Sequence, residues 1–153
     1  MQPIDLHTHS TCSDGTLEPG QLVREAHRIG LSALALTDHD TMAGIPAARE
    51  AGRAIGIEVL AGIEISADYE GRPVHLLGYG LDPRHPALLP LLEELKLIRE
   101  RRNDSILEKL TTLGIHLDQS ELSASANGLV GRPHIAKMLV RLGHAASIDQ
   151  AFR

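Results

Sequence analysis

One cysteine, Cys12, stands among 153 residues, so no disulfide can close within the chain and a reducing compartment is the expected setting. Tryptophan is absent and aromatics make up 2% of the residues. That excludes an aromatic platform for stacking bases and leaves Leu, Ile, Val and Ala to fill the core. An excess of positive charge is also missing: the formal net charge is −5 with neutral histidines, which argues against an electrostatic grip on duplex DNA. No apolar run approaches the roughly 18 residues of a membrane span. The opening residues, MQPIDLHTHS, lack the basic and apolar regions of a signal peptide. A cytoplasmic protein with no membrane partner is expected. Hydrophobic residues at 42% and charged residues at 23% are ordinary for a globular chain. What is plentiful is histidine, nine in all.

The first part of the chain alternates strand and helix patterns. Pro3–His9 reads as a strand. Glu18–Ile29 carries Leu22, Val23, Ala26 and Ile29 at helical spacing and closes at Gly30. LSALALT, from Leu31, reads as a buried strand, Met42–Ile55 as a second helix capped by Asp40 or Thr41, and Ile57–Ser66 as a third strand. Pro73–Gly80 is a fourth strand, and the short link at Glu70–Arg72 makes strands three and four a hairpin. Strands separated by helices imply a mostly parallel α/β sheet. From residue 85 the pattern is helical: Pro86–Leu113, then Asp118–Ala124 with Asp118 as cap, then His134–Leu142 behind Arg132 and Pro133. A boundary is therefore placed between residues 1–84 and 85–153. Lys96, Arg99, Arg101 and Arg102 read as a solvated helix face. The chain ends inside a helical pattern, and four strands do not close a barrel. Both features give the expectation of a piece of a longer protein, nearly inactive and only marginally stable alone.

His7 and His9 sit two apart in a strand and so share a face, where two imidazoles can chelate one ion. Asp5 precedes them on that face. Asp14 follows in a turn, where an Asp-Gly pair also serves as a simple turn former. Thr37-Asp38-His39-Asp40 comes just past a buried strand, where open sheets and barrels place their sites. Glu64 lies among apolar neighbours, a costly position unless the carboxylate is paired or ligated. His75 falls in the next strand. Six residues on or just after successive strands converge on one rim: His7, His9, Asp14, His39, Glu64 and His75. A set of N and O ligands without sulfur suits Mn, Fe or Zn, and six exceed what one ion needs. Two or three divalent ions are expected, with Mn favoured.

The segments DLHTHSTCSDGT, LTDHDT, GIEIS and PVHLLGY closely resemble the polymerase and histidinol phosphatase superfamily of metal-dependent phosphoesterases, over residues 4–80. GRPHIAKMLVRLG resembles the helical insertion of the branch containing nucleoside 3′,5′-bisphosphate phosphatases and 5′-end-trimming ribonucleases. The resemblance implies a distorted (β/α)₇ barrel, with residues 1–84 as its N-terminal part and 85–153 as a helical insertion domain. It implies a trinuclear centre in which His7 and His9 hold a first metal, Glu64 bridges first and second, His75 holds the second, and Asp14 and His39 hold the third. The family's remaining ligands lie beyond Arg153. The expected activity is metal-assisted hydrolysis of a phosphate ester, the ions acidifying a water and neutralising developing charge. Glu64 and His39 are its expected catalytic residues, and a small phosphorylated nucleotide or short oligonucleotide its substrate. Arg132 and His134 are candidates for binding substrate phosphate, although Arg132-Pro133 also fits the plain opening of a helix. Two other readings stand beside this one: an amidohydrolase-type hydrolase, and a non-catalytic metal-binding or interaction domain.

Overall fold

Four strands form one sheet in the order β1-β2-β3-β4 in the computed structural model, which describes residues 3–126 and 128–153. β1 (Ile4–Thr8) runs parallel to β2 (Ala33–Leu36), and β2 runs parallel to β3 (Glu58–Tyr69). The crossovers carry α1 (Pro19–Arg28) and α2 (Ile45–Ile55), the long connections that parallel neighbours require. β4 (Arg72–Tyr79) returns antiparallel along β3 from Tyr69↔Arg72 to Gly62↔Tyr79. Only Glu70 and Gly71 turn this hairpin, at φ 52° and 76°; two successive left-handed residues match the twist of the flanking strands. The hairpin is as expected, with the third strand continuing past Ser66 to Tyr69.

β3 serves two neighbours in succession. Its first half pairs with β2, ending at Leu36↔Ala61, and its second half pairs with β4. Gly62 marks the exchange: a Cβ there would meet Thr37 Cγ2 at 2.7 Å and the Leu36 carbonyl oxygen at 3.1 Å. The sheet curls into a half-barrel, close enough for the Tyr79 hydroxyl to donate to the Leu6 carbonyl of β1 at 2.8 Å. Leu34, Leu36, Ala61 and Ile63 of the sheet share one buried cluster with Val23 and Ala26 of α1 and Ile45 and Ala48 of α2.

Beyond β4 every element is helical: α3 (Leu88–Thr112), α4 (Gln119–Ser125), α5 (Arg132–Arg141) and α6 (Ile148–Ala151). Leu122, Ile135, Met138 and Leu139 form a second cluster, backed by Ile106 and Leu110 of α3. The start of α3 rests instead on the first cluster through Leu88 and Leu92. This helix, about 37 Å long at 1.5 Å per residue, therefore connects both. α4 has the expected cap, the Asp118 carboxylate accepting from the Ser120 and Glu121 N–H groups at 2.8 and 3.1 Å.

α2 departs from expectation. It starts at Ile45 behind Gly44, and neither Asp40 nor Thr41 caps it. An isolated parallel bridge, His39↔Glu64, carries strand pairing past β2. The Asp40 N–H donates to the Glu64 carbonyl at 3.0 Å, and Asp40 turns left-handed at φ 54°, a conformation that Asp tolerates better than most residues. The helix cannot begin until this pairing has ended.

Candidate metal centre

The two parallel strands β1 and β2 with the connections that follow them, and the middle of the β3–β4 hairpin, bring polar side chains to one rim of the curled sheet. His7 projects from β1, and Asp5 braces it by accepting its backbone N–H at 3.0 Å. His9 follows one residue past the strand, His39 follows β2, and Glu64 and His75 project from β3 and β4. Glu64, 4% exposed, is the hub. Its Oε2 lies 2.7 Å from His7 Nε2, 3.0 Å from His9 Nε2 and 3.7 Å from His39 Nδ1, while its Oε1 lies 2.6 Å from His75 Nδ1. Asp14 sits opposite, 3.7 Å from His9 Nδ1 and 3.6 Å from His39 Nε2. All six expected side chains meet in one place.

The donors fall into three overlapping groups: His7, His9 and Glu64; His9, Asp14 and His39; His39, Glu64 and His75. Nδ1 of His9 and Nδ1 of His39 are buried without a hydrogen-bond partner, which is costly for a polar atom unless something else satisfies it. Carboxylates at 3.6–3.7 Å are beyond hydrogen-bond reach but suit ligands sharing an ion at about 2.0–2.2 Å. Burial holds the His39 imidazole below its ordinary pKa, against the pull of Asp14 and Glu64, which favours the neutral form that ligates. Burial pushes Glu64 upward, but the His7 hydrogen bond and the neighbouring imidazoles outweigh it and its carboxyl lies below its ordinary value. The residues fit divalent ions.

A cavity of about 190 Å³ opens directly on this cluster, bordered by Asp14, His39 and His75 and by Arg99, Arg102 and Arg132. Arg99, 7% exposed, donates through Nη2 to Asp40 Oδ2 and, at 3.1 Å, to Ser66 Oγ. Asp40 also accepts from the Ser66 N–H at 2.7 Å. Burial raises the Asp40 pKa, yet these bonds and the guanidinium bring it below its usual value. Nε of Arg99 and Nε of Arg102 are buried without partners. Burial, with repulsion from Arg99 and Arg132, lowers Arg102 to about 10. Three guanidiniums outnumber the Asp14 carboxylate on the wall and the Asp40 carboxylate paired with Arg99, which makes this an anion-attracting cavity.

Reading the whole basic run of α3 as solvated is therefore wrong for Arg99 and Arg102. Arg101 is exposed, and Lys96 makes only a 3.7 Å contact with Glu93. The signal for Arg99 was present: with Asn103 it occupies the buried stripe of α3 that continues the apolar positions Leu92, Leu95, Ile106 and Leu110. Arg132 and His134 go to different places. Arg132 faces the cavity beside Asp14, whereas His134 turns inward, its Nδ1 accepting the Gly131 N–H at 3.0 Å. It lines a neighbouring cavity with Thr11, Thr16, Lys137 and Arg141. Burial and Lys137 hold His134 below its ordinary pKa, and Asp14 opposes them. Cys12 packs with its backbone N–H on Ser10 Oγ at 3.2 Å, and burial pushes its thiol upward.

A family model described as the PHP domain matches residues 5–148. Over 97% of its length the chain is 44% identical to a 5′-3′ exoribonuclease of Haemophilus influenzae. Over its whole length it is 35% identical to a 3′,5′-nucleoside bisphosphate phosphatase of Chromobacterium violaceum. Each match covers 54% of the relative, so the chain spans about half the length of these curated relatives. A solved structure from Bifidobacterium adolescentis, assigned as a metal-dependent phosphoesterase, superposes over 99% of this chain and 55% of that one, with a TM-score of 0.90 at 34% identity.

Proposed function

The chain belongs to the PHP domain family, and on that premise we propose that it is a metal-dependent phosphoesterase acting on a small phosphorylated nucleotide: a nucleoside 3′,5′-bisphosphate or a short oligonucleotide. The observation that carries this reading is the contact between two unlike features. A cluster of four imidazoles and two carboxylates shares a rim with a cavity walled by arginines. Residues 1–84 form the ion-binding part, in this reading the first portion of a seven-stranded barrel, and residues 85–153 form an inserted helical domain over the site.

His7, His9 and Glu64 would hold one ion, Glu64, His39 and His75 a second, and Asp14 with His39 and His9 a third; manganese is the favoured ion. Divalent ions bound there supply an acidified water and neutralise charge on the phosphoryl oxygens. His9, His39 and Glu64 each belong to two ligand groups; Glu64 and His39 are assigned the catalytic roles because they share the group completed by His75, whose imidazole borders the arginine cavity with that of His39. Arg102 and Arg132 hold a phosphate of the substrate by charge-assisted hydrogen bonds. Arg99 has Asp40 as counter-charge and adds mainly direction. His134, with Nδ1 occupied by Gly131, keeps Nε2–H as a donor for substrate extending toward its own cavity. Negative net charge elsewhere does not oppose a ligand held by ions and three arginines.

The test is release of inorganic phosphate from a nucleoside 3′,5′-bisphosphate by the protein purified from its full reading frame and supplied with Mn²⁺. The expected result is turnover that stops with EDTA and returns with Mn²⁺. Absence of phosphate release with Mn²⁺, Fe²⁺ and Zn²⁺ alike would refute the reading.

A further inference from the structure

Asp38 has no part in the reading above, yet it is among the most buried polar side chains of the chain, at 1% exposure. Its carboxylate accepts three hydrogen bonds: from the Ser10 N–H at 2.7 Å, the Ser10 hydroxyl at 2.6 Å and the Ser13 hydroxyl at 2.7 Å. Ser10 and Ser13 are themselves 0% and 2% exposed. No cationic side chain pairs with Asp38 among the described residues. All its donors come from one loop, the segment that leads from His9 to Asp14.

That loop is wound tightly. The N–H groups of Ser13 and Gly15 both donate to the Ser10 carbonyl, at 3.1 and 2.9 Å. A Cβ on Gly15 would stand 2.3 Å from the His9 carbonyl oxygen, so the loop closes directly against its own start. Asp14, carried on this loop, makes little contact of its own: Ser13 Oγ lies at 3.5 Å, and His9 and His39 at 3.7 and 3.6 Å. Its distance from His39 is therefore set by the backbone beneath it. Asp38 fixes that backbone, and Asp38 is the residue before His39 in sequence.

We propose that Asp38 is a positioning residue that holds Asp14 against His39 and so controls occupancy of the ion position formed by His9, Asp14 and His39, without controlling the position formed by His7, His9 and Glu64. This rests on the metal-centre reading and deepens it. A group that orients a ligand from behind has an effect on ion affinity of about 10–100-fold, confined to the ion whose ligand it orients. A buried carboxylate that merely held the fold together would weaken all positions equally.

The experiment is stepwise Mn²⁺ titration of the metal-free protein, followed by electron paramagnetic resonance and by metal analysis after dialysis, with thermal unfolding recorded alongside. Asp38→Ala is expected to leave the first ion in place and raise the Mn²⁺ needed for the last by about 10–100-fold. Asp14→Ala should give the same loss, and the double variant should add nothing to it, as for two residues acting through one interaction. Asp38→Asn, which keeps Oδ1 for the Ser10 N–H and the Ser13 hydroxyl, should restore most of the occupancy. If Asp38→Ala fails to fold, Ser13→Ala decides, with a several-fold rise for the last ion alone. Unchanged uptake in these variants, or a uniform loss across all ions, overturns the proposal while leaving the metal centre standing. A wild-type protein that takes up no ion overturns both.

Discussion

Replacing Arg99 with alanine strands a carboxylate. Asp40 is 2% exposed and Arg99 7%, so water does not replace the lost guanidinium without opening the structure. Removing one member of a buried ion pair costs about 3–5 kcal/mol. The Ser66 N–H stays on Asp40 at 2.7 Å, which places the expected loss at the lower end, about 3 kcal/mol. With an unfolding entropy of about 2.1 cal/mol/K per residue, a chain of 153 residues should unfold about 10 °C lower. The sign of the pH dependence follows from Asp40. Its folded pKa lies below the ordinary aspartate value of 3.8, so the pair's contribution is present above that value and fades as pH falls through the folded one. Thermal unfolding at pH 7 therefore reads the full effect. Adding Asp40→Asn to Arg99→Ala should recover part of the loss, because the stranded charge is gone. A melting temperature lowered by less than about 3 °C would refute the reasoning, since that is the scale of a solvated ion pair worth up to about 1 kcal/mol.

Glu64→Ala should reduce kcat/KM for phosphate release more than Asp14→Ala, by a further tenfold or about 1.4 kcal/mol, because Glu64 approaches four imidazoles and Asp14 two; steady-state kinetics on both variants checks the order. Gly15→Ala puts a Cβ 2.3 Å from the His9 carbonyl oxygen and should destabilise by about 1–3 kcal/mol, read by chemical denaturation. Burial and repulsion from Arg99 and Arg132 hold Arg102 below its ordinary pKa, yet it is a cation at pH 7; Arg102→Gln should raise KM for a nucleoside bisphosphate about tenfold, or about 1.4 kcal/mol, in steady-state kinetics at that pH. Mn²⁺ at about 100 times its Kd should raise the unfolding free energy by about 2.7 kcal/mol per bound ion, and EDTA should reverse the shift in calorimetry.

The meeting of the six side chains was legible because strand ends are legible. LSALAL announces a buried strand, and a parallel sheet sends the ends of such strands, with His9, Asp14 and His39, to one side; Glu64 and His75 reach the same rim from inside the antiparallel β3–β4 hairpin. Tertiary pairings were not. Asp40 carries every sequence mark of a helix cap, and only the His39↔Glu64 bridge shows why the chain stays extended and the carboxylate goes elsewhere. Arg99 and Arg102 sit in a cluster of four cations, for which solvent is the default environment. Their burial depends on α3 lying over the site, a packing that helical periodicity does not specify. The split of Arg132 from His134 is likewise invisible in the sequence, since it turns on which way one ring closes the first turn of α5.

The double service of β3 bears on how this chain can vary. Side chains alternate in a strand, so a change in residue count between Ala61 and Glu64 inverts every later position. One inserted residue there would carry Glu64 to the opposite face and put Ile63 in its place, and one deleted residue would put Ile65 there, with β2 holding the strand on one side and β4 on the other. Two inserted residues would restore the face but displace the carboxylate by about 6.8 Å, farther than any of its present imidazole contacts reaches. Among natural or engineered variants, this segment should accept exchanges of one apolar residue for another and reject insertions and deletions. The Glu70-Gly71 turn, a few residues further along the same strand, lies past the last ligand on β3 and is where the chain can absorb a change in length.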